Sequence, residues 1–179
     1  MTETMMAFLA LMLLMFFALN QNQAIVQSQR EAASVELEIL ANGVAAETMH
    51  YIATKPFDAR LADGTVSLEN PDLNALTSPN DFPTGAALDA CETLEDFHRM
   101  QPDTVFFQID TAPTGQPIGF EFTVQAVVEY IDAGGQVSAS PTWTKELTLY
   151  VEQVVPAGKT PLLLQPIIKK RRFSPDWGA

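Results

Sequence analysis

Fifteen apolar residues stand in a row from Met5 to Leu19, MMAFLALMLLMFFAL, and no charged residue lies between Glu3 and Arg30. As a helix the run reaches ~22 Å, and the uncharged extension through Val26 brings it to the ~30 Å of a bilayer's hydrocarbon core. A cleaved secretory signal has a basic front and a small-x-small exit, whereas this run follows Glu3 and leads into Asn20-Gln21-Asn22-Gln23. In water it would expose far more than the few hundred Å² of contiguous apolar surface that a soluble monomer tolerates. It therefore requires a membrane, other copies of the chain, or both, with an ordinary signal anchor as the plain alternative.

Helical signals continue beyond Leu19. Between Met1 and Lys55 there is no proline and only one glycine, Gly43, while all 12 prolines lie from Pro56 onward. Val35, Leu37, Leu40, Ala41, Val44, Ala45, Thr48, Met49 and Ile52 recur at three- and four-residue spacing, with Glu31, Glu36, Glu38 and Glu47 mostly off that stripe. One helix from about Thr2 to Thr54 would be ~80 Å long, greasy in its first half and amphipathic in its second. Amide side chains crowd the junction, Asn20 to Gln29. They either satisfy one another between packed helices or form a wet stretch just outside a membrane.

A chain of 179 residues fits one globular head plus this appendage. Its formal net charge of -12 and pI of about 4.4 repel a phosphate backbone, so general nucleic-acid binding is not expected. One cysteine, Cys91, leaves no intramolecular disulfide.

Beyond Pro56 the expected head is β-rich. Ile118 to Ile131 alternates, with Phe120, Phe122, Val124, Ala126, Val128 and Tyr130 on one face. Asp132-Ala133-Gly134-Gly135 supplies a turn into a return strand from Gln136. Lys145 to Val155 alternates again, with Leu147, Leu149 and Val151 inward, and Thr104 to Thr111 adds Val105, Phe107 and Ile109. The expected fold is α+β, the long helix packing its amphipathic half on an antiparallel sheet. Before the sheet, the pattern predicts a hairpin of Ala59–Ala62 and Thr65–Leu68 turning at Asp63-Gly64, then a short helix near Ala86 to Met100. That helix would group Leu88, Cys91, Leu94 or Glu95, and His98. Four proper metal ligands are not present there, so a buried thiol beside a solvated acid and histidine is expected, with no metal and no cofactor.

The segments divide as 1–28, the apolar half-helix; 29–55, the amphipathic half; 56–103, irregular; 104–168, the sheet; and 169–179, a basic and aromatic tail. The tail carries Lys169, Lys170, Arg171 and Arg172, four of the chain's ten basic residues, and then Trp177. It is read as docking on the acidic head of another copy, as touching nucleic acid or lipid headgroups, or as solvated.

This arrangement resembles the type IV pilins and the pseudopilins of type II secretion: a greasy half-helix, an amphipathic half on a sheet, and a β-rich head. The resemblance implies a structural subunit of a cell-surface filament, bundled through its N-terminal helices, with the inner membrane holding subunits before assembly. The assembly surface it implies comprises Glu3, Met5, Phe8, Leu9, Met12, Leu13, Phe16, Phe17, Asn20 and Gln23. Because family members lose a leader, Met1 reads as a mature start. The family's glutamate at the fifth mature position is replaced by Met5, and its helix-breaking proline is missing. Glu3 would neutralise a neighbour's N-terminal amine in a register shifted by two, or else is a solvated first-turn acid. Adhesion, motility, DNA uptake and secretion are all compatible. A minor pseudopilin and a monomeric single-pass protein with a ligand-binding β-domain are the alternatives. No Gly-rich phosphate loop, G-x-S-x-G or H-E-x-x-H occurs, and the histidines are His50 and His98, so enzymatic activity is not expected.

Overall fold

In a computed structural model, residues 2–69, 71–109, 118–156, 160–163 and 165–175 are described. The long helix is one unbroken element, α1, Thr2–Ala53, of 52 residues, or about 78 Å at 1.5 Å per residue. The amides of Asn20 to Gln29 lie within it.

Four strands follow: β1, Asp103–Ile109; β2, Ile118–Tyr130; β3, Lys145–Val154; and β4, Ile167–Phe173. They form an antiparallel sheet in the order β1-β2-β3-β4, so every strand pairs with its neighbour in sequence. Period-two alternation selects the face, because successive side chains of a strand point to opposite sides. Phe122, Val124, Ala126, Val128 and Tyr130 are buried on β2, as are Leu147, Leu149 and Val151 on β3. Phe120, Val105 and Phe107 are partly buried against the same core, and Phe107 meets Phe122 edge-on at 6.0 Å between ring centroids. The side chain expected inward at Ile109 lies outside the described residues.

The amphipathic half of α1 covers this face. From residue 5 onward, where burial is described, Leu37 is the first buried residue of the helix, followed by Ala41, Val44, Ala45, Thr48, Met49 and Ile52. Leu40 is partly buried. Val35 departs from the expected stripe and is 54% exposed. Two residues before Leu37, it is turned about 200° away from the sheet by a helix that repeats every 3.6 residues.

Three local expectations are corrected. Ala59–Ala62 is not a hairpin arm but one helical turn, α2, because Asp58 accepts the Arg60 amide as its N-cap. The Asp63-Gly64 pair then ends this turn, Gly64 at φ 77°, where a side chain would be strained. The helix expected over 86–100 is instead two 3-10 turns, Leu88–Ala90 and Leu94–Phe97. The Asp96 carboxylate accepts the amides of Glu92 and Thr93 and the Thr93 hydroxyl at 2.8–3.0 Å, and these bonds compete with helix continuation. Between β2 and β3 the Asp132–Gln136 turn forms, but the return strand from Gln136 reduces to a single bridge between Ile131 and Val137.

The packing gives a direct expectation. Leu37→Ala and Leu149→Ala should each lower head stability by about 2–5 kcal/mol, measured by denaturant unfolding of the detergent-solubilised chain. Val35→Ala, on the same helix but facing away, should change it by no more than about 0.5 kcal/mol.

Candidate functional site

Two features stand apart from ordinary core packing: a helix surface with nothing on it and a buried cluster of charges. The first is the apolar half of α1. Met5, Phe8, Leu9, Met12, Leu13, Phe16 and Phe17 are 57–70% exposed on one side of the helix and Met6, Leu11, Leu14 and Met15 are 65–74% exposed around the rest of it, so apolar side chains occupy all sides and no single partner face can cover them. This is a helix long and apolar enough to cross a membrane, with mean hydropathy 1.7 in its most apolar window and none of that window buried. Asn20 and Gln23 are exposed one turn further on. Glu3 lies within α1, its side chain outside the described residues. Among the described amides of 20–29, one side-chain hydrogen bond forms, from Gln27 to Glu31 at 3.2 Å.

The second feature sits where α1 ends. Lys145, the first residue of β3, has the inward phase of Leu147 and Leu149 and is fully buried. Its three ammonium hydrogens meet the Phe57 carbonyl at 2.7 Å and the carboxylates of Asp58 and Glu95 at 2.9 Å each. The rings of Phe57, Tyr130 and Phe82 surround the ammonium at 4.6, 5.0 and 5.3 Å from their centroids, which adds a cation–π attraction in a desolvated place. Tyr130, paired with Lys145 in the β2–β3 register, has its hydroxyl 3.0 Å from both Asp58 Oδ2 and the Thr77 carbonyl. Glu95 also accepts the Ala59 amide at 2.7 Å, and the Thr77 hydroxyl stands 3.0 Å from Asp58 and 3.2 Å from Glu95.

Burial drives the Asp58 carboxyl upward, but Lys145's charge and the hydrogen bonds from Lys145, the Arg60 amide and Tyr130 outweigh it and hold the group below its ordinary value of 3.8. Burial first, and then Asp58 beside it, push the Tyr130 hydroxyl far above its ordinary range. No buried side-chain nitrogen or oxygen among the described residues lacks a partner. The groups satisfy one another with no face turned to a substrate, so this cluster ties the chain after α1, the 3-10 turn of Glu95 and both central strands together. It is a lock on the fold.

Glu95 is thereby a correction, since it is 1% exposed rather than solvated. Cys91 is buried as expected, its thiol against the carbonyls of Ala87 and Asp96, and burial raises it above the ordinary thiol value. His98 donates from Nδ1 to the Val128 carbonyl at 2.6 Å. Cys91, Glu95 and His98 thus turn to separate partners, and no group of three metal-binding side chains occurs among the described residues. Sequence reasoning missed Lys145, yet its phase on the strand placed it inward.

The basic run is a further correction: Lys169 to Arg172 is not a tail but most of β4, paired with β3. Lys170 and Arg172 each bind Glu146 at 3.0 Å, and those hydrogen bonds hold the Glu146 carboxyl below its ordinary value. Lys169 and Arg171 are exposed on the other face of the strand. Trp177 lies outside the described residues. A cleft of about 700 Å³ runs between α1 and β1, with Val44, Glu47, Tyr51, Asp103 and Val105 on its walls.

Comparison with models of protein families, with characterised proteins and with solved structures gives no match.

The lock makes two predictions. Lys145→Met should destabilise the head by about 3–5 kcal/mol, because two buried carboxylates lose their cation, and adding Asp58→Asn and Glu95→Gln should recover much of the loss in denaturant titrations. Asp58 binds its proton more readily in the unfolded chain than in the folded one. Its stabilisation is therefore full above 3.8 and disappears as pH falls through the lower folded value. Asp58→Asn should be less stable at neutral pH, yet lose less on acidification when thermal midpoints are followed from neutral pH down to about pH 2.

Proposed function

We propose that the chain is a structural subunit of a cell-surface filament of the type IV pilin kind, assembled by bundling the apolar halves of α1, with the heads outward. The observation that carries this reading is the continuity of α1. The helix locked into the head through Leu37–Ile52 extends without a break into a half that its own head leaves bare. An anchor needs only ~20 apolar residues and tolerates a loose tether; a rigid rod fixed to its head instead transmits the position of each head to the bundle. In a bundle each apolar half is covered on all sides by equivalent halves, and the exposed amides of Asn20 and Gln23 meet their counterparts there. Before assembly the same half holds the subunit in the inner membrane. Glu3, near the helix start, is the acid available to a neighbour's N-terminal amine.

Material sheared from cells and sedimented is expected to contain the chain as long polymers. A chain that stays monomeric in the membrane fraction would instead be a single-pass anchor for its head. Leu13→Glu and Phe16→Arg each place a charge in the apolar half, where it costs about 2.5–3.5 kcal/mol in lipid. Both should reduce pelletable polymer more than tenfold while leaving the head's unfolding midpoint unchanged, since Leu13 and Phe16 touch nothing in the head.

A further inference from the structure

Arg30 is the only lysine or arginine in α1 and the first charge after the apolar half. As a helix, Met5 to Val26 reaches ~33 Å, enough to cross the ~30 Å hydrocarbon core, and Arg30 stands ~6 Å further on, at the level of the headgroups. It has no ion pair among the described residues. At that level the head's segment 160–162 lies beside α1 and leaves a cavity of about 470 Å³, with Gln27, Arg30, Glu31, Ser34, Thr160 and Leu162 on its walls. The wall opposite the helix is fixed. Gln153, on the inward face of β3 beside Phe122, accepts the amides of Leu162 and Leu163 at 3.0 Å each, and both leucines pack against the core.

This set of groups suits a phosphodiester carrying an amine. The Arg30 guanidinium can bind two phosphate oxygens at once, and the hydroxyls of Ser34 and Thr160 line the same cavity. Glu31 shares those walls and accepts the Gln27 amide at 3.2 Å on Oε1, which leaves Oε2 for a further donor. One cation and one carboxylate together match a zwitterion better than an anion, which Glu31 and the chain's net charge of -12 would repel. A second depression shares Gln27 and Arg30 and continues along Leu19, Asn22, Gln23 and Val26. It gives the acyl chains below such a headgroup a course along the helix toward the hydrocarbon.

We infer that the cavity between α1 and segment 160–162 seats the phosphoethanolamine headgroup of a membrane lipid, its phosphate on Arg30, Ser34 and Thr160 and its primary ammonium on Glu31. The bound lipid sets the depth at which the subunit rides in the bilayer, because its two charged groups meet the first two charges beyond the apolar half. The site rests on the membrane placement of that half in the filament reading, and not on the bundling.

The full-length chain is reconstituted into bilayers of equal parts phosphatidylcholine, phosphatidylethanolamine and phosphatidylglycerol and released into mild detergent, and its retained lipid is identified by native mass spectrometry. A single phosphatidylethanolamine is expected, favoured over either of the others by about tenfold. Arg30→Gln should remove the retained lipid. Glu31→Gln should keep a phospholipid but lose the preference for ethanolamine over choline, whose methylated nitrogen has no hydrogen to donate to a carboxylate. Glu38→Gln, on the same helix outside the cavity, should change neither. Preference for phosphatidylglycerol, or retention unaltered by Arg30→Gln, would overturn the site. Displacement of the lipid by inorganic phosphate as readily as by soluble phosphoethanolamine would overturn the headgroup assignment and leave a phosphate site. Polymers in sheared material from a chain that retains no lipid would remove the site and leave the filament standing. A retained phosphatidylethanolamine on a chain that never polymerises would uphold the site and remove the filament.

Discussion

Everything in this molecule depends on how the second half of α1 is covered. Leu37 to Ile52 lay a stripe of buried side chains on the inward side of the sheet, closest to β3 and β4, and burial of each larger side chain contributes about 1.5–3 kcal/mol. That contact turns a helix and a meander of four strands into one head. It also fixes the direction in which the remainder of the helix leaves. Because the stripe stops near Leu37, the preceding residues project with their apolar side chains uncovered.

The buried lock works on the same contact from its other end. A helix of 52 residues would swing about a loose C-terminal joint, and the segment after Ala53 is where such a joint would form. There Phe57 and Asp58 are held by Lys145, and Glu95 and Thr77 close around them. Hydrophobic packing resists separation but is non-directional, whereas three short bonds from one ammonium set an angle. Burying two carboxylates and one cation is costly in itself, and directional rigidity is the property such a cluster contributes that an apolar plug does not.

The head's surface divides by charge. Carboxylates line the exposed side of α1, and four of the chain's ten basic residues gather on β4, an edge strand that charged side chains also guard against indiscriminate pairing. Glu146 takes up Lys170 and Arg172, and Lys169 and Arg171 are left exposed on the opposite face of the strand.

The sequence by itself determined the elements that carry strong periodicity. The helix from Thr2 to Ala53 was legible in a proline-free stretch with 3.6-residue spacing, and β2 and β3 in clean alternation at Phe122–Tyr130 and Leu147–Val151, because local steric preference and one-sided burial write those periods directly. Elements without a period were misread. Ala59–Ala62 carries no pattern, and its course follows the Asp58 cap; β4 is charged on both faces because an edge strand buries neither fully. Only the tertiary structure decided that Asp58, Glu95 and Lys145, separated by as many as 87 positions along the chain, converge on one point. The sequence shows each charge singly, and a buried charge is stable only through partners that folding brings to it.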